Sequence, residues 1–285
     1  MISKEQFEKE IEFIIENSIR EDVGDGDHSS LACIPKAATG KAKLLVKDQG
    51  LIAGVAFAEK VFQYVDPDLS IDVRIQDGKK IQKGDVAFYV EGSSQSILKA
   101  ERLVLNAMQR MSAIATKTAT FVEKLEGTRT KILDTRKTTP GIRALEKWAV
   151  KIGGGENHRF ALYDMIMLKD NHIDFAGGIT RAIDKTKEYL ASKDLDLMII
   201  VEARDLNEIK EILQSDGIYR ILIDNFNYED TRKAVDLING KCLTESSGGI
   251  TLETARAYAE CGVDYISSGA LTHSVHNLDL SLKAV

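Results

Sequence analysis

Cysteine is scarce in this 285-residue chain, and its three cysteines, Cys33, Cys242 and Cys261, are far apart and form no Cys-x-x-Cys pair. This spacing argues against a zinc site or a disulfide framework and fits a reducing compartment. No apolar run approaches the length of a membrane span. The opening Met-Ile-Ser-Lys-Glu leads into an acidic helix rather than a signal peptide, so we expect a cytoplasmic protein with no membrane partner.

An excess of positive charge is also lacking, because the formal net charge is −6. This balance disfavours non-specific binding to nucleic acid. The charge is uneven, however, since residues 134–172 hold seven Lys and Arg against five Asp and Glu, with two of the five histidines. A basic segment in an acidic protein indicates an anionic small-molecule ligand. With 44% hydrophobic residues, the chain can bury the core of one large or two ordinary domains.

The first part of the sequence predicts a mixed sheet with helices packed on it. Ser3 and Gln6 form a capping-box pattern ahead of apolar residues at helical spacing, and the turn-rich stretch 21–28 ends that helix. β-like runs follow at 41–46, 51–53, 69–75 and 86–90, with a helix at 55–65. Residues 96–125 predict one long buried helix, whose methionine-containing stripe is interpreted as core packing. The single tryptophan, Trp148, is predicted to pack on a helix at 144–152.

After Gly127 the pattern changes to apolar β runs that alternate with amphipathic helices. The runs lie at 132–133, 165–168, 197–201, 221–223, 243 and 265–266. Alternation of this kind implies parallel strands joined by helical crossovers, and about six units predict a closed or nearly closed α/β barrel. Polar and charged residues follow each run, which fits the position of active sites at the carboxyl ends of barrel strands.

Three basic motifs follow the early strands of this region. In Asp134–Gly141, Arg136 offers a planar fork suited to carboxylate or phosphate, and Lys137 offers a mobile charge. In Gly153–Arg159, glycines let backbone N–H groups approach an anion beside His158 and Arg159, although such a loop is often only a flexible connection. Lys169 follows a buried strand and is a Schiff-base nucleophile, an anion clamp or a surface residue.

The later strands end in carboxylates and in Ser/Gly loops. Glu202 and Asp224 are predicted to point into one barrel mouth and to suit Mg²⁺, the alternative being that each caps the next helix. The loops 245–249 and 267–270 place Ser and Gly ahead of helices, as phosphate sites do, although either could be a plain turn. His273 is a secondary contact.

Taken together, the ordered motifs resemble the quinolinate phosphoribosyltransferase family (nicotinate-nucleotide pyrophosphorylase, carboxylating). The motifs are Glu-Asp-Val-Gly-Asp-Gly-Asp (21–27), Asp-Thr-Arg-Lys-Thr-Thr-Pro-Gly (134–141), Gly-Gly-Gly-Glu-Asn-His-Arg (153–159), Lys-Asp-Asn-His (169–172) and Glu-Ser-Ser-Gly-Gly-Ile (245–250). The likeness runs in order from about residue 7 to the end. One departure is Ile200, where family members often carry a second acid two residues before the strand-ending glutamate.

The resemblance implies an α/β fold of the type II phosphoribosyltransferase kind. An N-terminal α/β sandwich domain would cover residues 1–110, joined by the C-terminal tail 274–285, and an incomplete, open α/β barrel would cover residues 111–273. It implies transfer of phosphoribosyl from phosphoribosyl pyrophosphate to quinolinate with decarboxylation, giving nicotinate mononucleotide, pyrophosphate and CO₂ in de novo NAD synthesis. It also implies Mg²⁺ without an organic cofactor, and a homodimer or higher homo-oligomer with shared active sites.

The site residues follow from the same resemblance. Catalytic roles would belong to Lys137, Lys169, Glu202 and Asp224, with Glu202 and Asp224 holding Mg²⁺ directly or indirectly. Arg102 would reach into the neighbouring subunit's site. The implied substrate-binding residues are Arg102, Thr135, Arg136, Lys137, His158, Arg159, Lys169, Glu202, Asp224, Ser246, Ser247, Gly248, Gly249, Ser267, Ser268, Gly269 and His273.

Three other functions are open at this point. A molybdenum-transport-associated paralogue of the same fold shares the Thr-Arg-Lys-Thr motif, but the intact Asn-His-Arg and Gly-Gly-Gly runs favour the quinolinate enzyme. A Schiff-base aldolase or lyase would use Lys169, and borohydride trapping would reveal it. A catalytically silent nucleotide-binding protein would bind phosphate ligands without turnover.

Overall fold

The computed structural model describes residues 2–285. The first half of the chain forms α1 (Lys4–Val23), α2 (His28–Cys33), β1 (Thr39–Val46), β2 (Gly50–Leu51), α3 (Val55–Val65), β3 (Ser70–Val73), β4 (Lys80–Ile81), β5 (Val86–Ser93) and α4 (Ser94–Lys124). The second half forms β6 (Lys131–Leu133), α5 (Arg143–Ile152), β7 (Ile166–Leu168), α6 (Asp170–Ala176), α7 (Ile179–Lys193), β8 (Ile199–Ala203), α8 (Leu206–Ile212), β9 (Ile218–Asp224), α9 (Tyr228–Ile238), β10 (Leu243–Ser247), α10 (Leu252–Ala259), β11 (Tyr265–Ser267), α11 (Ala270–His273) and β12 (Leu280–Ala284).

The chain divides into two compact units that do not follow a single cut in the sequence. One unit, the sheet unit, contains residues 2–119, 137–154 and 271–285. The other, the barrel unit, contains residues 120–136 and 155–270. The predicted boundary near residue 110 stays a prediction. No helix among residues 2–285 has the length and apolarity that a membrane crossing requires.

The sheet unit is built on an antiparallel sheet of order β12-β1-β5-β3. β12 comes from the chain's last residues and pairs with β1 in the register Leu44↔Leu282. Leu44 and Leu282 are both buried, so the C-terminal strand covers apolar surface that β1 would otherwise expose. The predicted N-terminal helix is confirmed as α1, where the Ser3 hydroxyl accepts the Gln6 N–H at 3.1 Å.

Two predicted features of the helices of the sheet unit are confirmed. The stripe of α4, including Val104, Met108, Met111 and Ile114, is completely buried. Trp148 on α5 packs edge-on against Phe7 of α1, with ring centroids 5.5 Å apart. The α4 stripe recurs at helical spacing because one side of the helix must meet the core.

The barrel unit is built on six parallel strands in the order β6-β11-β10-β9-β8-β7. Each strand is followed by a helix, and neighbouring strands pair in parallel register, for example Ile221 with Val201. Because β6 and β7 form opposite edges of this sheet, the barrel is open, as the family resemblance implies, and it is not the closed barrel that the strand count also allowed. The strand residues Ile199–Ala203 are nearly all buried, which is expected for a sheet covered on both faces.

Candidate active site

The barrel unit brings most of the predicted site residues to one edge of its sheet. Lys169 follows β7, Glu202 lies near the end of β8, and Asp224 ends β9. The register pairs Glu202 with Leu222 of β9, and Asp224, two residues farther along β9, pairs with Ser247 of β10. The carboxyl ends of parallel strands lie at one edge of the sheet, so the sequence pattern is sufficient to predict that these three residues lie at the same edge.

Two carboxylates, Glu202 and Asp224, form the acidic side of this edge. Burial raises the pKa of Glu202 above its usual range, and the neighbouring carboxylates of Asp224 and Asp170 raise it further, against the charge of Lys169. Ile200, the position where relatives often carry an acid, is fully buried in an apolar cluster with Met165 and Leu222. That apolar layer lies along the same strand as Glu202, two residues earlier, and limits the solvent available to it.

Neither carboxylate caps the helix that follows it. Asp205 is the N-cap of α8, where its side chain accepts the N–H groups of Asn207 and Glu208. Asn227 is the N-cap of α9, where its side chain accepts the N–H of Asp230. Separate residues satisfy the helix termini, so the capping interpretation of Glu202 and Asp224 does not hold.

Two guanidinium groups, from Arg136 and Arg159, form the basic side. Arg159 is 5% exposed and donates to the Met165 carbonyl at 3.3 Å. Burial lowers the pKa of Arg159, and the nearby charge of Arg136 lowers it further, against Asp164. The Nε atom of Arg136 is buried and has no hydrogen-bond partner within residues 2–285. Two crowded cations with an unused buried donor require an anion, and a carboxylate or phosphate fits this geometry.

A buried polar network lies below these cations. Glu245 of β10 is completely buried, and its Oε2 lies 2.6 Å from Arg220 Nη1 and 3.3 Å from His158 Nε2. Asp134, also completely buried, accepts the His158 N–H at 2.8 Å and the Asn157 side-chain amide at 2.6 Å. The network connects the segment after β6 with strands β9 and β10.

The Ser/Gly loops at the ends of β10 and β11 differ in how their side chains are used. The register places Ser246 beside Ile223 and Ile266, on the helix-covered face, so its buried hydroxyl lies on the opposite side of the strand from Ser247. The Ser268 hydroxyl donates to the Ile250 carbonyl at 2.9 Å, and its N–H donates to the Leu133 carbonyl at 3.1 Å. Both Ser268 groups therefore stabilise the barrel wall.

Gly248 and Gly249 have backbone conformations that favour glycine. Their φ angles are +100° and +60°. A Cβ atom on Gly248 would lie 2.6 Å from Asn225 Cγ, whereas one on Gly249 would meet nothing within 4 Å. Only Gly248 is therefore required by close packing, and it is packed against the residue that follows Asp224.

Gly153 has a packing role that the sequence reading did not predict. A Cβ atom there would lie 2.5 Å from the Ala115 carbonyl oxygen and 2.7 Å from Thr118 Cβ, both on helix α4. Its φ is −74°, so the glycine serves close approach of the backbone to α4 and not a turn. The prediction that this glycine run lets backbone N–H groups approach an anion therefore does not explain why residue 153 is glycine.

Four predicted residues need separate description. Thr135 lies between Asp134 and Arg136 in the barrel unit, whereas Arg102, Lys137 and His273 belong to the sheet unit. Arg102 is exposed on α4, beside a cavity of about 230 Å³ that Glu21 and Asp22 also line. His273 is exposed, and its Nδ1 lies 2.6 Å from Ser274 Oγ.

Lys137 lies on a loop that a buried ion pair holds in place. Glu146 is completely buried, and Arg110 donates to its Oε1 through Nε at 3.0 Å and Nη2 at 2.8 Å. The other Glu146 oxygen accepts the Thr139 N–H at 3.0 Å. Arg110 also donates to the Thr272 carbonyl at 2.5 Å, and the Thr272 hydroxyl donates to the Lys137 carbonyl at 2.7 Å.

Sequence reasoning missed Arg110, Glu146 and Arg220. Arg110 and Glu146 lie in predicted helices, where a charged residue is usually interpreted as part of a solvated face. Arg220 is the one weak signal that was available, because it directly precedes the apolar run 221–223 of a buried strand. A charge at the start of a buried strand requires a buried partner, and Glu245 on the neighbouring strand is that partner.

The fold and the site define an open α/β-barrel enzyme whose mouth combines paired carboxylates with paired guanidinium groups, an arrangement suited to polyanionic small molecules. Comparison with known proteins makes the assignment more specific. The family model described as "Quinolinate phosphoribosyl transferase, N-terminal domain" matches residues 27–112, and the corresponding C-terminal model matches residues 114–283. The chain belongs to the quinolinate phosphoribosyltransferase family.

Individual relatives agree with this assignment over nearly the whole chain. Quinolinate phosphoribosyltransferase [decarboxylating] 1b of Nicotiana tabacum is 45% identical over 285 residues, covering 95% of this chain and 81% of the relative. A probable nicotinate-nucleotide pyrophosphorylase [carboxylating] of Bacillus subtilis is 40% identical, covering 92% and 89%. The crystal structure of NadC from Streptococcus pyogenes superposes with a TM-score of 0.89 at 36% identity, covering 100% and 99%.

Proposed function

We propose that the mouth of the barrel unit catalyses transfer of phosphoribosyl from phosphoribosyl pyrophosphate to quinolinate, with loss of CO₂. This proposal is carried by two neighbouring groups of side chains at the same sheet edge. One is a pair of crowded guanidinium groups, one of which has an unused buried donor, and the other is a pair of crowded carboxylates. The guanidinium pair needs an anion, and the carboxylate pair needs a cation. A dicarboxylate acceptor and a pyrophosphate donor with its metal supply both.

Quinolinate would bind on the basic side. Arg136 and Arg159 present planar forks that can each hold a carboxylate by two hydrogen bonds, and the free Arg136 Nε is one such donor. Lys169, which follows β7 beside Glu202, would bind the second carboxylate as a point charge. Thr135 flanks Arg136 and would bind substrate with it. Orientation by several fixed cations would supply a large share of the rate.

Phosphoribosyl pyrophosphate would bind on the acidic side and at the Ser/Gly loops. Glu202 and Asp224 would bind the ribose hydroxyls. Ser247, Gly248, Gly249, Ser267 and Gly269 would bind phosphate, and Ser246 and Ser268 would shape these loops from the barrel wall. Lys137 would neutralise the departing pyrophosphate, and His273 would be a secondary contact.

Mg²⁺ fits the carboxylate pair. The Asp224 carboxylate lies close enough to Glu202 to raise the Glu202 pKa, an effect that a divalent cation would relieve. No group of three potential ligands occurs among His, Cys, Asp and Glu of residues 2–285, so substrate oxygens would complete the coordination. When bound, Mg²⁺ would supply charge neutralisation at the pyrophosphate group.

In the reaction, the pyridine nitrogen attacks the anomeric carbon of ribose while the bond from that carbon to pyrophosphate oxygen breaks. The ribose carbon gains oxocarbenium character, and the carboxylates of Glu202 and Asp224 stabilise that positive charge. The bond between the ring and its carboxylate next to nitrogen then breaks, releasing CO₂ and leaving its electron pair on the ring carbon. The pyridinium charge stabilises this carbanion until a proton from solvent replaces the carboxylate, so the ring itself serves as the electron sink.

We also propose that two or more copies of the chain form shared active sites in the cytoplasm. In such an assembly the exposed Arg102 of one copy would add a further cation to the quinolinate site of its partner. Loss of activity in Arg102→Ala, restored in mixed assemblies with an inactive Glu202→Ala partner, would support a shared site. Failure to restore activity by mixing would contradict it.

The experiment that tests the function measures turnover of quinolinate with phosphoribosyl pyrophosphate and Mg²⁺, following CO₂ and nicotinate mononucleotide. Nicotinate serves as the parallel substrate, and product from quinolinate alone is expected. Arg136→Ala or Arg159→Ala should raise KM for quinolinate, whereas Glu202→Ala should lower kcat. Absence of product from the folded protein, or borohydride trapping of a carbonyl substrate on Lys169, would refute the proposal.

A further inference from the structure

Lys137 lies on a surface loop, residues 137–142, whose backbone is bound by two buried side chains of the sheet unit. The Thr272 hydroxyl donates to the Lys137 carbonyl at 2.7 Å, and Glu146 Oε2 accepts the Thr139 N–H at 3.0 Å. Lys137 and Thr139 are exposed, whereas Thr272 and Glu146 are completely buried. Exposed loops are ordinarily more mobile than the elements they connect, so these two contacts fix the backbone on both sides of residue 138.

The Glu146 carboxylate on α5 makes its hydrogen bonds with this loop and with Arg110. Its Oε1 accepts Arg110 Nε at 3.0 Å, Arg110 Nη2 at 2.8 Å and the Thr139 hydroxyl at 2.8 Å. A buried carboxylate is stable only when its oxygens are paired, and the Thr139 N–H is the donor to Oε2. The position of Thr139 and the burial of the Arg110–Glu146 pair therefore depend on each other.

The segment that carries Thr272 is bound by two cations of helix α4. Arg110 Nη2 donates to the Thr272 carbonyl at 2.5 Å, and Lys117 Nζ donates to the Ser274 carbonyl at 2.6 Å. The apolar stripe of the same helix is completely buried, so α4 is a fixed support for this segment. Arg110 thus contacts both of the residues that bind the loop, one through its charge and the other through its backbone.

We propose that Arg110, Glu146 and Thr272 are positioning residues for Lys137, which they hold where its ammonium group meets the departing pyrophosphate. The lysine side chain is flexible, so its charge is placed well only if the backbone that carries it is already fixed. None of the three residues needs to contact substrate for this effect. The inference rests on the proposed function, which assigns the pyrophosphate contact to Lys137, and it adds the residues that make that contact effective.

Two substitutions at Thr272 separate its hydroxyl from the rest of the side chain. Thr272→Val keeps the shape and removes the donor to the Lys137 carbonyl, whereas Thr272→Ser keeps the donor and removes a methyl group. Calorimetric titration with pyrophosphate and Mg²⁺ measures the affinity of each folded protein. A misplacement of about 1 Å can cost about a hundredfold, so losing one of two backbone contacts should weaken pyrophosphate binding about tenfold in Thr272→Val. Thr272→Ser should stay within about twofold of the unaltered protein, because its hydroxyl can make the same bond.

Kinetics show whether the effect is confined to one substrate. In Thr272→Val, kcat/KM for phosphoribosyl pyrophosphate should fall about tenfold or more, whereas KM for quinolinate should stay within about twofold, because its proposed ligands belong to the barrel unit. Thr130→Val is the matched control. Thr130 is also buried, and its hydroxyl donates to the Val263 carbonyl at 2.6 Å, directly before β6. This control should leave both kinetic values unchanged.

A double-mutant cycle tests whether Thr272 acts through Lys137. A Lys137→Ala protein has no ammonium group to place, so adding Thr272→Val should change kcat/KM for phosphoribosyl pyrophosphate by less than about twofold. An effect that persists at about tenfold in this background would show a general structural change and would overturn the proposal.

Two other outcomes would contradict the proposal. One is an unchanged pyrophosphate affinity in folded Thr272→Val, and the other is an equal loss in Thr272→Val and Thr272→Ser, which would indicate a packing effect. If Thr272→Val does not fold, Arg110→Lys takes its place, because lysine keeps the charge but lacks the fork that reaches Glu146 and Thr272 together. The same fall in affinity is expected there, and no fall would again overturn the proposal. Turnover of quinolinate by the unaltered protein decides the proposed function, whereas the pyrophosphate titration decides this inference, so either can fail alone.

Discussion

Substitution of Gly248 by alanine is expected to destabilise the barrel unit much more than the same change at Gly249. Both glycines lie in the loop after β10 and both have positive φ, +100° and +60°. They differ in surroundings, because a Cβ on Gly248 would lie 2.6 Å from Asn225 Cγ and 2.8 Å from Asn225 N. No atom lies within 4 Å of a Cβ on Gly249. The pair therefore compares a glycine whose Cβ would clash and whose φ is unfavourable with a glycine where only the positive φ opposes alanine.

The magnitude follows from these contacts. Alanine at Gly249 costs about 1 kcal/mol, the ordinary penalty of a left-handed L-residue. At Gly248 the φ of +100° lies farther from that region, so the whole backbone penalty there is about 1–3 kcal/mol. Asn225 must also move, which weakens its N–H bond to the Ser247 carbonyl, 2.9 Å, and costs about 1 kcal/mol more. The expected difference between the two variants is therefore about 2 kcal/mol.

The assay is thermal unfolding followed by calorimetry. At about 2–4 °C for each kcal/mol, Gly248→Ala should melt about 4–8 °C below Gly249→Ala. Gly248→Ala should also raise KM for phosphoribosyl pyrophosphate, because the displaced Asn225 side chain donates to Asp224 Oδ2 at 2.5 Å. Equal melting temperatures for the two variants would refute the reasoning, since the clash with Asn225 and the larger backbone strain both predict a lower value for Gly248→Ala.

Three further predictions concern buried charges. Glu146→Ala leaves the mostly buried Arg110 without its carboxylate partner and should lower the free energy of unfolding by about 3 kcal/mol. Urea unfolding measures this change, with Glu229→Gln, which removes an exposed carboxylate of α9, as the control. A change below about 1 kcal/mol would contradict the role of the ion pair. Asp134→Asn can keep only one of two accepted hydrogen bonds and should lower stability by about 2 kcal/mol in the same assay. Asp224→Asn removes a charge that raises the pKa of Glu202, so Glu202 should titrate at lower pH in the variant. Carboxyl ¹³C NMR measures this titration, and an unchanged titration would show that Asp224 does not contribute to the raised pKa.

The sign of the Glu202 effect on stability is also defined. Its folded-state pKa is raised, so the folded protein binds this proton more tightly than the unfolded chain does. This contribution favours folding at low pH, and it is lost as the pH rises from the ordinary glutamate value through the raised one. Bound Mg²⁺ would oppose the loss by stabilising the ionised carboxylate.

Much of the fold could be predicted because its determinants are local. The capping pattern at Ser3 marks the start of one helix. The helical stripe of α4 and the apolar β runs each show that one element is buried against a core, whichever element provides that core. Strand–helix alternation then implies parallel pairing, and parallel pairing brings the carboxyl ends together. The positions of Lys169, Glu202 and Asp224 at one sheet edge therefore followed from the sequence alone.

What only the tertiary structure decided is how those residues are paired. Arg220 and Glu245 are 25 residues apart, and their contact depends on the register between β9 and β10, which no single segment encodes. The same is true of Gly153, whose lack of a side chain is explained by α4, and of Gly248, explained by Asn225. His158 shows the same dependence, because its Nε2 lies 3.3 Å from the carboxylate of Glu245 on β10, a contact that its own segment does not encode. Residue type and period are properties of a segment, whereas hydrogen-bond partners, burial and pKa depend on groups brought together from distant parts of the chain.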